Sequence, residues 1–194
     1  RVPPREPGDQ DDFLIRADKH PNTRGAELLG LGVAGEEDGG HVLAAAEAGR
    51  LGVLWVFGHD LFASRWPEVE VRAALDRVDC LVFQGANANA TCERAHLVVP
   101  SAPYTEREGT FTNFEGRVQR FWRAAEPLGE ARPDWDVLAE MARALGQDWR
   151  PAGAAELFRE LAAAVPAFAG LSYRDLRDRG ALAPGAAAEA AASR

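Results

Sequence analysis

Two short apolar runs separated by a helical pattern constrain the fold of this chain most strongly. Residues 51–58 (LGVLWVFG) form a continuous apolar run bounded by glycines, and residues 80–84 (CLVFQ) form a second one. Runs of this length and composition predict strands that are buried on both faces of a sheet. Residues 67–78 lie between them with apolar side chains at helical spacing, and Pro67 suits a first helical turn. The order strand, helix, strand predicts a βαβ unit with parallel strands.

Further segments extend this pattern. Residues 96–99 (HLVV) suit a third strand, and residues 109–123 alternate around Gly116, which predicts a hairpin or extended excursion. In the helix predicted over 134–145, an apolar stripe includes Leu138, Met141 and Leu145. We therefore expect an α/β fold with a parallel Rossmann-like sheet flanked by helices, the excursion, and a helical C-terminal part. The other predicted helices cover residues 40–48, 153–165 and 172–178.

Composition divides the chain into four predicted segments. Residues 1–12 are rich in proline and charge and are expected to form an irregular connector. Residues 13–126 would form the α/β domain, and residues 127–180 the helical C-terminal part. Residues 181–194 (ALAPGAAAEAAASR) have low complexity, which is typical of a disordered tail.

The charge of the chain argues against one large class of partner. The 194 residues include 22 Lys and Arg against 30 Asp and Glu, which gives a formal net charge of −8. Because phosphate binding needs clustered cations and no basic block is present, nucleic acid is not an expected partner. A helix that spans a membrane needs an apolar run of about eighteen residues. The chain has no such run, so no direct membrane span is expected.

Metal-binding and nucleophilic motifs are not recognisable in the sequence. Cys80 and Cys92 do not have the spacing of a zinc or iron–sulfur ligand pair, and no two histidines form an HExxH pattern. Ser64 and Ser101 lack the context of a nucleophile elbow. We therefore predict no catalytic residue and no metal ligand in this chain.

Small and polar residues follow the predicted strands at their carboxyl ends. They are Gly58-His59-Asp60, Gly85-Ala86-Asn87 and Ser101. In open parallel sheets, ligands bind beyond these ends, so a ligand crevice is one interpretation. Ordinary turns are the other, because Gly, Asn and Asp are common turn residues for conformational reasons.

The segment from Tyr104 to Arg120 (YTEREGTFTNFEGRVQR) carries the most specific pattern in the chain. A well-tethered surface loop would account for its composition. Its order of residues, however, resembles the molybdopterin oxidoreductase superfamily, whose members carry a pattern close to P-x-x-x-Y/F-x-E-x-x-G-T-F-T-N-x-E-G-R-x-Q. Further matches are N-T-R-G-A at Asn22–Ala26 and P-x-G-E-A-x-x-D-W at Pro127–Trp135. The resemblance covers roughly residues 20–178 and implies a structural role for Glu108, Gly109, Thr110, Thr112, Asn113, Glu115, Gly116, Arg117 and Gln119.

Within that superfamily, the loops after the first two strands separate two branches. Members that bind a molybdenum or tungsten pterin tend to carry G-x-N-P after the first strand, where this chain has Gly58–Leu61 (GHDL). They also tend to carry Q-D-x-F-x-T-E-T-A-x-x-A-D before the third, and most positions of this chain depart from it. Each lost hydrogen bond removes about 0.5–1.5 kcal/mol of binding free energy. The resemblance therefore implies a degenerate pterin crevice whose candidate residues are His59, Asp60, Gln84, Gly85, Asn87 and Thr91.

These departures favour the large peripheral-arm component of NADH-quinone oxidoreductase over a working pterin enzyme. That resemblance implies a scaffold that supports NADH-to-quinone electron transfer. The segment would hold no redox centre or cofactor, and iron–sulfur clusters would lie in a missing N-terminal part. The expected partners are other subunits of the peripheral arm, and the expected location is cytoplasmic, on the inner face of the plasma membrane. The alternatives are the C-terminal part of a molybdopterin-dependent dehydrogenase such as formate dehydrogenase, with molybdopterin as cofactor, and a stand-alone binding module.

Overall fold

A computed structural model describes residues 22–31 and 40–192 and shows an α/β protein. In this structure the chain divides into two compact units, each assembled from separated segments. The domain boundaries predicted from the sequence at residues 12, 126 and 180 stay predictions, and the predicted connector over 1–12 lies outside the described residues. Of the described residues, unit 1 comprises 22–31, 109–121 and 152–192, and unit 2 comprises 40–108 and 122–151.

The described elements are helices and short strands. None of these helices has the length and apolar character that crossing a membrane requires. In chain order the elements are α1 (Thr23–Leu28), α2 (Gly40–Glu47), β1 (Val53–Phe57), α3 (Glu68–Leu75), β2 (Cys80–Gly85), α4 (Ala90–Glu93), β3 (Leu97–Pro100), β4 (Gly109–Thr112), β5 (Arg117–Phe121), α5 (Asp134–Ala144), α6 (Ala154–Ala164), α7 (Tyr173–Leu176), β6 (Ala181–Leu182) and α8 (Pro184–Ala192).

Unit 2 is built on a parallel sheet with the strand order β1-β2-β3. This arrangement confirms the predicted βαβ unit and its third strand. α2 and α3 contact each other, and their apolar residues share one core with those of β1 and β2. That core contains Val56, Leu81 and Phe83, which alternate with residues of the opposite sheet face. The core therefore lies on one side of the sheet.

The sequence predicted that β1 is buried on both faces of the sheet, and this prediction is wrong. The exposed fraction is 61% at Val53 and 48% at Phe57, and both side chains lie on the face opposite the α2–α3 core. On the same face, Val82 and Gln84 of β2 are buried, so this face of the sheet is covered at β2 and open at β1. An apolar run in a sequence cannot distinguish these cases, since it carries no information about which elements pack on each face.

α5 forms where it was predicted, but its apolar stripe is not its buried face. Val137 and Ala139 are buried, whereas Leu138 and Met141 are exposed and Leu145, just after the helix, is 74% exposed. Large apolar side chains do not by themselves identify the packed face, because small residues allow closer approach of a neighbouring element.

Unit 1 contains an antiparallel sheet and helices α1, α6, α7 and α8. β4 and β5 form the predicted hairpin, and β6 pairs with the other edge of β5. Val118 of β5 is fully buried in a core that also contains Phe158 of α6 and Leu176 of α7. The sequence predicted helices over residues 153–165 and 172–178. The structure confirms them as α6 and α7, and both observed helices are shorter than predicted.

The prediction of a disordered tail from residue 181 is wrong over its described part. Residues 181–182 form β6, and α8 follows at Pro184. Ala183 is fully buried and Ala186 is 5% exposed, both in the core of unit 1. Alanine-rich sequence reads as low complexity, but alanine also has the highest helix propensity and packs closely against neighbours. Packing rather than side-chain diversity decides the structure there.

Candidate functional site

The carboxyl ends of the three parallel strands open into a crevice of about 320 Å³ in unit 2. Phe57 and Gly58 contribute from the end of β1, and Gln84 and Gly85 from the end of β2. The crevice therefore lies where ligands bind in open parallel sheets. The rest of the wall consists of Ala86, Asn87, Asn89, Ser101, Ala102, Pro103, Arg107 and Asp134.

Asp134 is the centre of the polar network in this wall. Its Oδ1 accepts hydrogen bonds from Gln84 Nε2 at 2.8 Å and from the hydroxyl of Ser101. Its Oδ2 accepts a hydrogen bond from Arg107 Nη1 within an ion pair. The carboxylate thus joins the end of β2, the residue after β3 and the loop that contains Arg107.

The network keeps Asp134 ionised. Burial raises the pKa of this carboxyl. The hydrogen bonds from Ser101 and Arg107, the charge of Arg107 and the hydrogen bond from Gln84 lower the pKa, and together they outweigh the effect of burial. The net result is a pKa below the ordinary value of an aspartate. Asp134 is also the first residue of α5, where the partial positive charge of the helix N-terminus favours a carboxylate.

Gln84 has a buried acceptor in this wall that lacks a partner. The residue is 1% exposed, and no described residue donates a hydrogen bond to its Oε1. The orientation of the amide follows from chemistry, because only the NH2 group can face the Asp134 carboxylate. Buried polar groups are nearly always hydrogen-bonded, so this acceptor is available to a donor in the crevice, either a water molecule or a ligand N–H.

Glycine is required at the end of β2. A Cβ atom on Gly85 would lie 2.7 Å from the ring of Phe83, inside van der Waals contact. The wall therefore presents bare backbone at Gly85, and small residues at such positions let a ligand approach the main chain closely.

Half of the six residues predicted for a pterin crevice line it. Gln84, Gly85 and Asn87 are part of the wall. Asp60 and Thr91 instead bond to each other: Thr91 Oγ1 donates to Asp60 Oδ1 at 3.0 Å and accepts from Leu61 N at 2.8 Å. His59 is exposed and is not among the lining residues. Whether any of the six binds a pterin stays a prediction.

The Asp60–Thr91 pair holds a turn. Asp60 Oδ1 also accepts a hydrogen bond from Phe62 N at 3.1 Å and so caps the single helical turn Leu61–Ala63. Thr91 is completely buried. The structure therefore gives these two residues a structural role.

Four polar residues of the wall were not predicted as site residues: Asn89, Ser101, Arg107 and Asp134. Ser101 was noted for following a strand, at a possible ligand crevice, and Asp134 as part of the D-W match and as the start of a helix, but neither was among the six candidate pterin residues. One signal was available, because Gln84 and Asp134 both match the superfamily pattern. Their contact across 50 residues has no signature in local spacing.

The motif residues after Glu108 form the β4–β5 hairpin of unit 1. Asn113 Oδ1 accepts hydrogen bonds from Glu115 N at 3.0 Å and Arg117 N at 2.9 Å, which closes the turn. Gly116 adopts a φ of 81°, a left-handed conformation that glycine adopts without strain. Gly109, Thr110 and Thr112 lie on β4, and Arg117 and Gln119 lie on β5.

Comparison with known proteins identifies the family. A family profile described as Molybdopterin oxidoreductase matches residues 20–144 of this chain. The chain belongs to the molybdopterin oxidoreductase family. The resemblance carried by the hairpin motif is thereby confirmed at the level of the family.

Relatives in this family include bacterial dehydrogenases. "Probable oxidoreductase YjgC" of Bacillus subtilis is 37% identical over 129 residues, which cover 66% of this chain and 13% of that protein. "Putative formate dehydrogenase YrhE" of the same organism is 33% identical over 172 residues, which cover 88% of this chain and 18% of that protein. The chain thus spans less than a fifth of the length of these curated relatives.

A solved structure supports the fold independently. Acetylene hydratase from Pelobacter acetylenicus matches with a TM-score of 0.58 and 14% identity, over 73% of this chain and 20% of that protein. At this level of identity the match shows a shared fold only.

The chemistry of the crevice fits part of a pterin cofactor. Its wall combines a guanidinium, side-chain amides, an unsatisfied buried acceptor and a bare-backbone glycine. A dinucleotide cofactor presents the complementary groups, namely phosphates, N–H donors and carbonyl acceptors. Within residues 22–31 and 40–192, no cluster of three or more His, Cys, Asp or Glu side chains could hold a metal ion.

Proposed function

We propose that this chain is part of a molybdopterin-dependent dehydrogenase of the formate dehydrogenase type, and that the crevice of unit 2 binds a polar portion of the pterin cofactor. The observation that carries the proposal is the network around Asp134. It gathers Gln84, Ser101 and Arg107 at the carboxyl end of a parallel sheet. Beside this network, the buried Gln84 Oε1 has no partner among the described residues and can accept a hydrogen bond from a bound group.

The residues of the wall have separable tasks in this proposal. Arg107 would bind a phosphate group, because a guanidinium fork matches phosphate oxygens. Gln84 and Asn87 would bind polar edges of the cofactor, and Gly85 would let it approach the backbone. When bound, the cofactor supplies the redox-active metal centre, while these residues bind and orient its polar part and exclude water from it.

The loop departures carry less weight once the crevice is seen in three dimensions. They suggested that lost hydrogen-bonding groups would prevent pterin binding. The wall nevertheless includes Asn87 and Asn89 from the divergent loop, together with Arg107 and Asp134 from other elements. Polar groups from distant segments can therefore take over binding, which favours a cofactor-binding protein.

The relatives also support this alternative better than the peripheral-arm component of NADH-quinone oxidoreductase. Those that cover most of this chain carry names such as "Putative formate dehydrogenase", from Bacillus subtilis and Staphylococcus aureus. Peripheral-arm partners, upstream iron–sulfur clusters and a location at the inner face of the plasma membrane remain predictions from the sequence. They apply if the protein belongs to the NADH-oxidising complex.

Metal analysis of the full-length protein that contains this chain tests the proposal. The protein should be purified from a host that makes molybdopterin and assayed for molybdenum, tungsten and the fluorescent oxidation product of pterin. We expect stoichiometric metal and pterin, together with formate-dependent reduction of a viologen dye. A protein that lacks metal and pterin and copurifies with NADH-oxidising subunits would restore the interpretation as a scaffold of the NADH-quinone oxidoreductase peripheral arm.

A further inference from the structure

We propose that Asp134 is a positioning residue that fixes the guanidinium of Arg107 at the crevice wall, where Arg107 binds an anionic group such as the pyrophosphate of a dinucleotide. This inference rests on the proposed function and deepens it, because it assigns the anion subsite and the residue that orders it. Asp134 itself would not contact the ligand; it would act through Arg107.

The contacts of Arg107 leave most of its donors available. Its side chain is 29% exposed, and within the described part of the chain its single hydrogen-bonding partner is Asp134. A guanidinium has five N–H donors in a rigid fork, so most of them remain for a ligand. Arg107 lines the crevice, which places the fork beside the ligand volume.

The position of the Asp134 carboxylate is set by the sheet. Gln84 Nε2 and the Ser101 hydroxyl both bind Oδ1, which leaves Oδ2 for Arg107. Gln84 belongs to β2 and Ser101 directly follows β3, and both residues are buried. Two buried donors from neighbouring strands therefore orient the carboxylate that holds the arginine.

Tethering of this kind improves ligand binding for an entropic reason. A free arginine side chain loses rotamer freedom when it is immobilised by a ligand, which weakens binding. If the ion pair already restricts the side chain, less of that loss falls on binding. The fork is then presented in one orientation, which favours bidentate contact with phosphate oxygens over contact with a neutral acceptor.

A double-mutant cycle distinguishes positioning from general stabilisation. The probe is inorganic pyrophosphate, and its binding to the 194-residue chain is measured by isothermal titration calorimetry. The variants are Arg107→Ala, Asp134→Asn and the double variant. Asp136→Asn is the matched control, because Asp136 lies on the same helix, pairs with Arg132 and is not among the crevice residues.

Positioning through Arg107 predicts a non-additive cycle. Arg107→Ala and Asp134→Asn should each weaken pyrophosphate binding about tenfold, as expected for one charge-assisted hydrogen bond. The double variant should bind no more weakly than Arg107→Ala alone, and Asp136→Asn should bind as the parent does. The inference would be overturned if Asp134→Asn weakened pyrophosphate binding equally in the parent and in the Arg107→Ala variant. It would also be overturned if Asp134→Asn did not weaken pyrophosphate binding in the parent.

A second variant covers loss of folding. If Asp134→Asn unfolds the chain, Arg107→Lys keeps the charge and the other two hydrogen bonds of Asp134 while removing the fork. We expect this variant to remain folded and to weaken pyrophosphate binding; unchanged binding would contradict a role for the oriented fork.

The two proposals fail in different ways. Suppose that the full-length protein contains metal and pterin but the parent chain does not bind pyrophosphate. That result would overturn this inference and leave the proposed function intact. Absence of metal and pterin would overturn the proposed function whatever the outcome of the cycle.

Discussion

The side-chain oxygen of Asn22 accepts a hydrogen bond from the backbone N–H of Thr112 at 2.8 Å, across 90 residues of sequence. Asn22 begins the N-T-R-G-A match and Thr112 lies in the hairpin motif, so two separate parts of the family pattern contact each other in unit 1. Gly25 allows this contact: a Cβ atom there would lie 3.0 Å from Thr112 Cβ and 2.7 Å from Asn22 Oδ1. The family pattern here therefore reflects packing of unit 1.

Replacing Asn22 by alanine should destabilise unit 1. The Thr112 amide would lose its acceptor while Thr112 remains 5% exposed, and an unsatisfied buried donor costs about 1–3 kcal/mol. We expect a corresponding drop in the free energy of unfolding in urea and faster hydrogen exchange at the Thr112 amide. Glu27→Ala on the same helix, which removes a surface ion pair with Arg24, should change the free energy by about 1 kcal/mol or less. Equal effects of the two substitutions would argue against a specific role for the Asn22–Thr112 bond.

Gly116→Ala should be more damaging than a comparable change elsewhere. A Cβ atom at this position would lie 2.2 Å from Cβ of Ala186, which requires α8 or the hairpin to shift. The matched control is Gly129→Ala, because Gly129 has a φ of 61° and an added Cβ there would meet no atom within 4 Å. The control should lose about 1–2 kcal/mol from left-handed strain alone, and Gly116→Ala should lose clearly more. Thermal or urea unfolding measures both; similar losses would show that the contact with α8 relaxes without cost.

Thr91→Val should reveal the structural role of the Asp60–Thr91 pair. Valine keeps the shape of the side chain but leaves the buried Leu61 N–H without its acceptor, which costs about 1–3 kcal/mol. Thr91→Ser keeps the hydroxyl and removes one methyl group, so it should lose about 1 kcal/mol. The free energy of unfolding should therefore follow the order parent, serine, valine. A valine variant as stable as the parent would remove the case for a structural hydroxyl.

Asp134 should contribute to the acid sensitivity of unit 2. Because its pKa is lowered in the folded state, its network stabilises the protein above the unfolded pKa and loses that contribution as the pH falls through the folded pKa. We expect the difference in unfolding free energy between the parent and Asp134→Asn to narrow as the pH falls from about 5, through the ordinary aspartate pKa of about 3.9, to lower values. Tryptophan fluorescence is a suitable signal, because Trp55, Trp66, Trp122, Trp135 and Trp149 all belong to unit 2. A constant difference across this range would show that the Asp134 charge does not stabilise the fold.

The sequence predicted the elements better than their surroundings. The apolar runs at β1 and β2 and the alternation around Gly116 are local patterns, and each corresponds to an observed strand or hairpin. Exposure of Val53 and Phe57, the buried face of α5 and the packing of α8 were not predicted. Those properties depend on which other element lies alongside, and periodicity within one segment does not contain that information.

The candidate site divides along the same line. Gln84, Gly85 and Asn87 were predictable because they follow a strand at its carboxyl end, where ligands bind in parallel sheets. Arg107 and Asp134 could not be predicted as site residues, because neither lies at the end of a predicted strand of the sheet. They reach the crevice through a loop and the start of a helix.

By itself, the sequence determined the α/β class, the βαβ unit with its third strand, the hairpin around Gly116, and membership in the molybdopterin oxidoreductase family. Local periodicity and residue order are sufficient for these. Only the tertiary structure decided that Asp134 would meet Gln84, 50 residues away, and that Thr91 would bond to Asp60 rather than line the crevice. Hydrogen-bond partners at such separations are set by how the elements pack in three dimensions, and that packing brings the polar side chains of this site together.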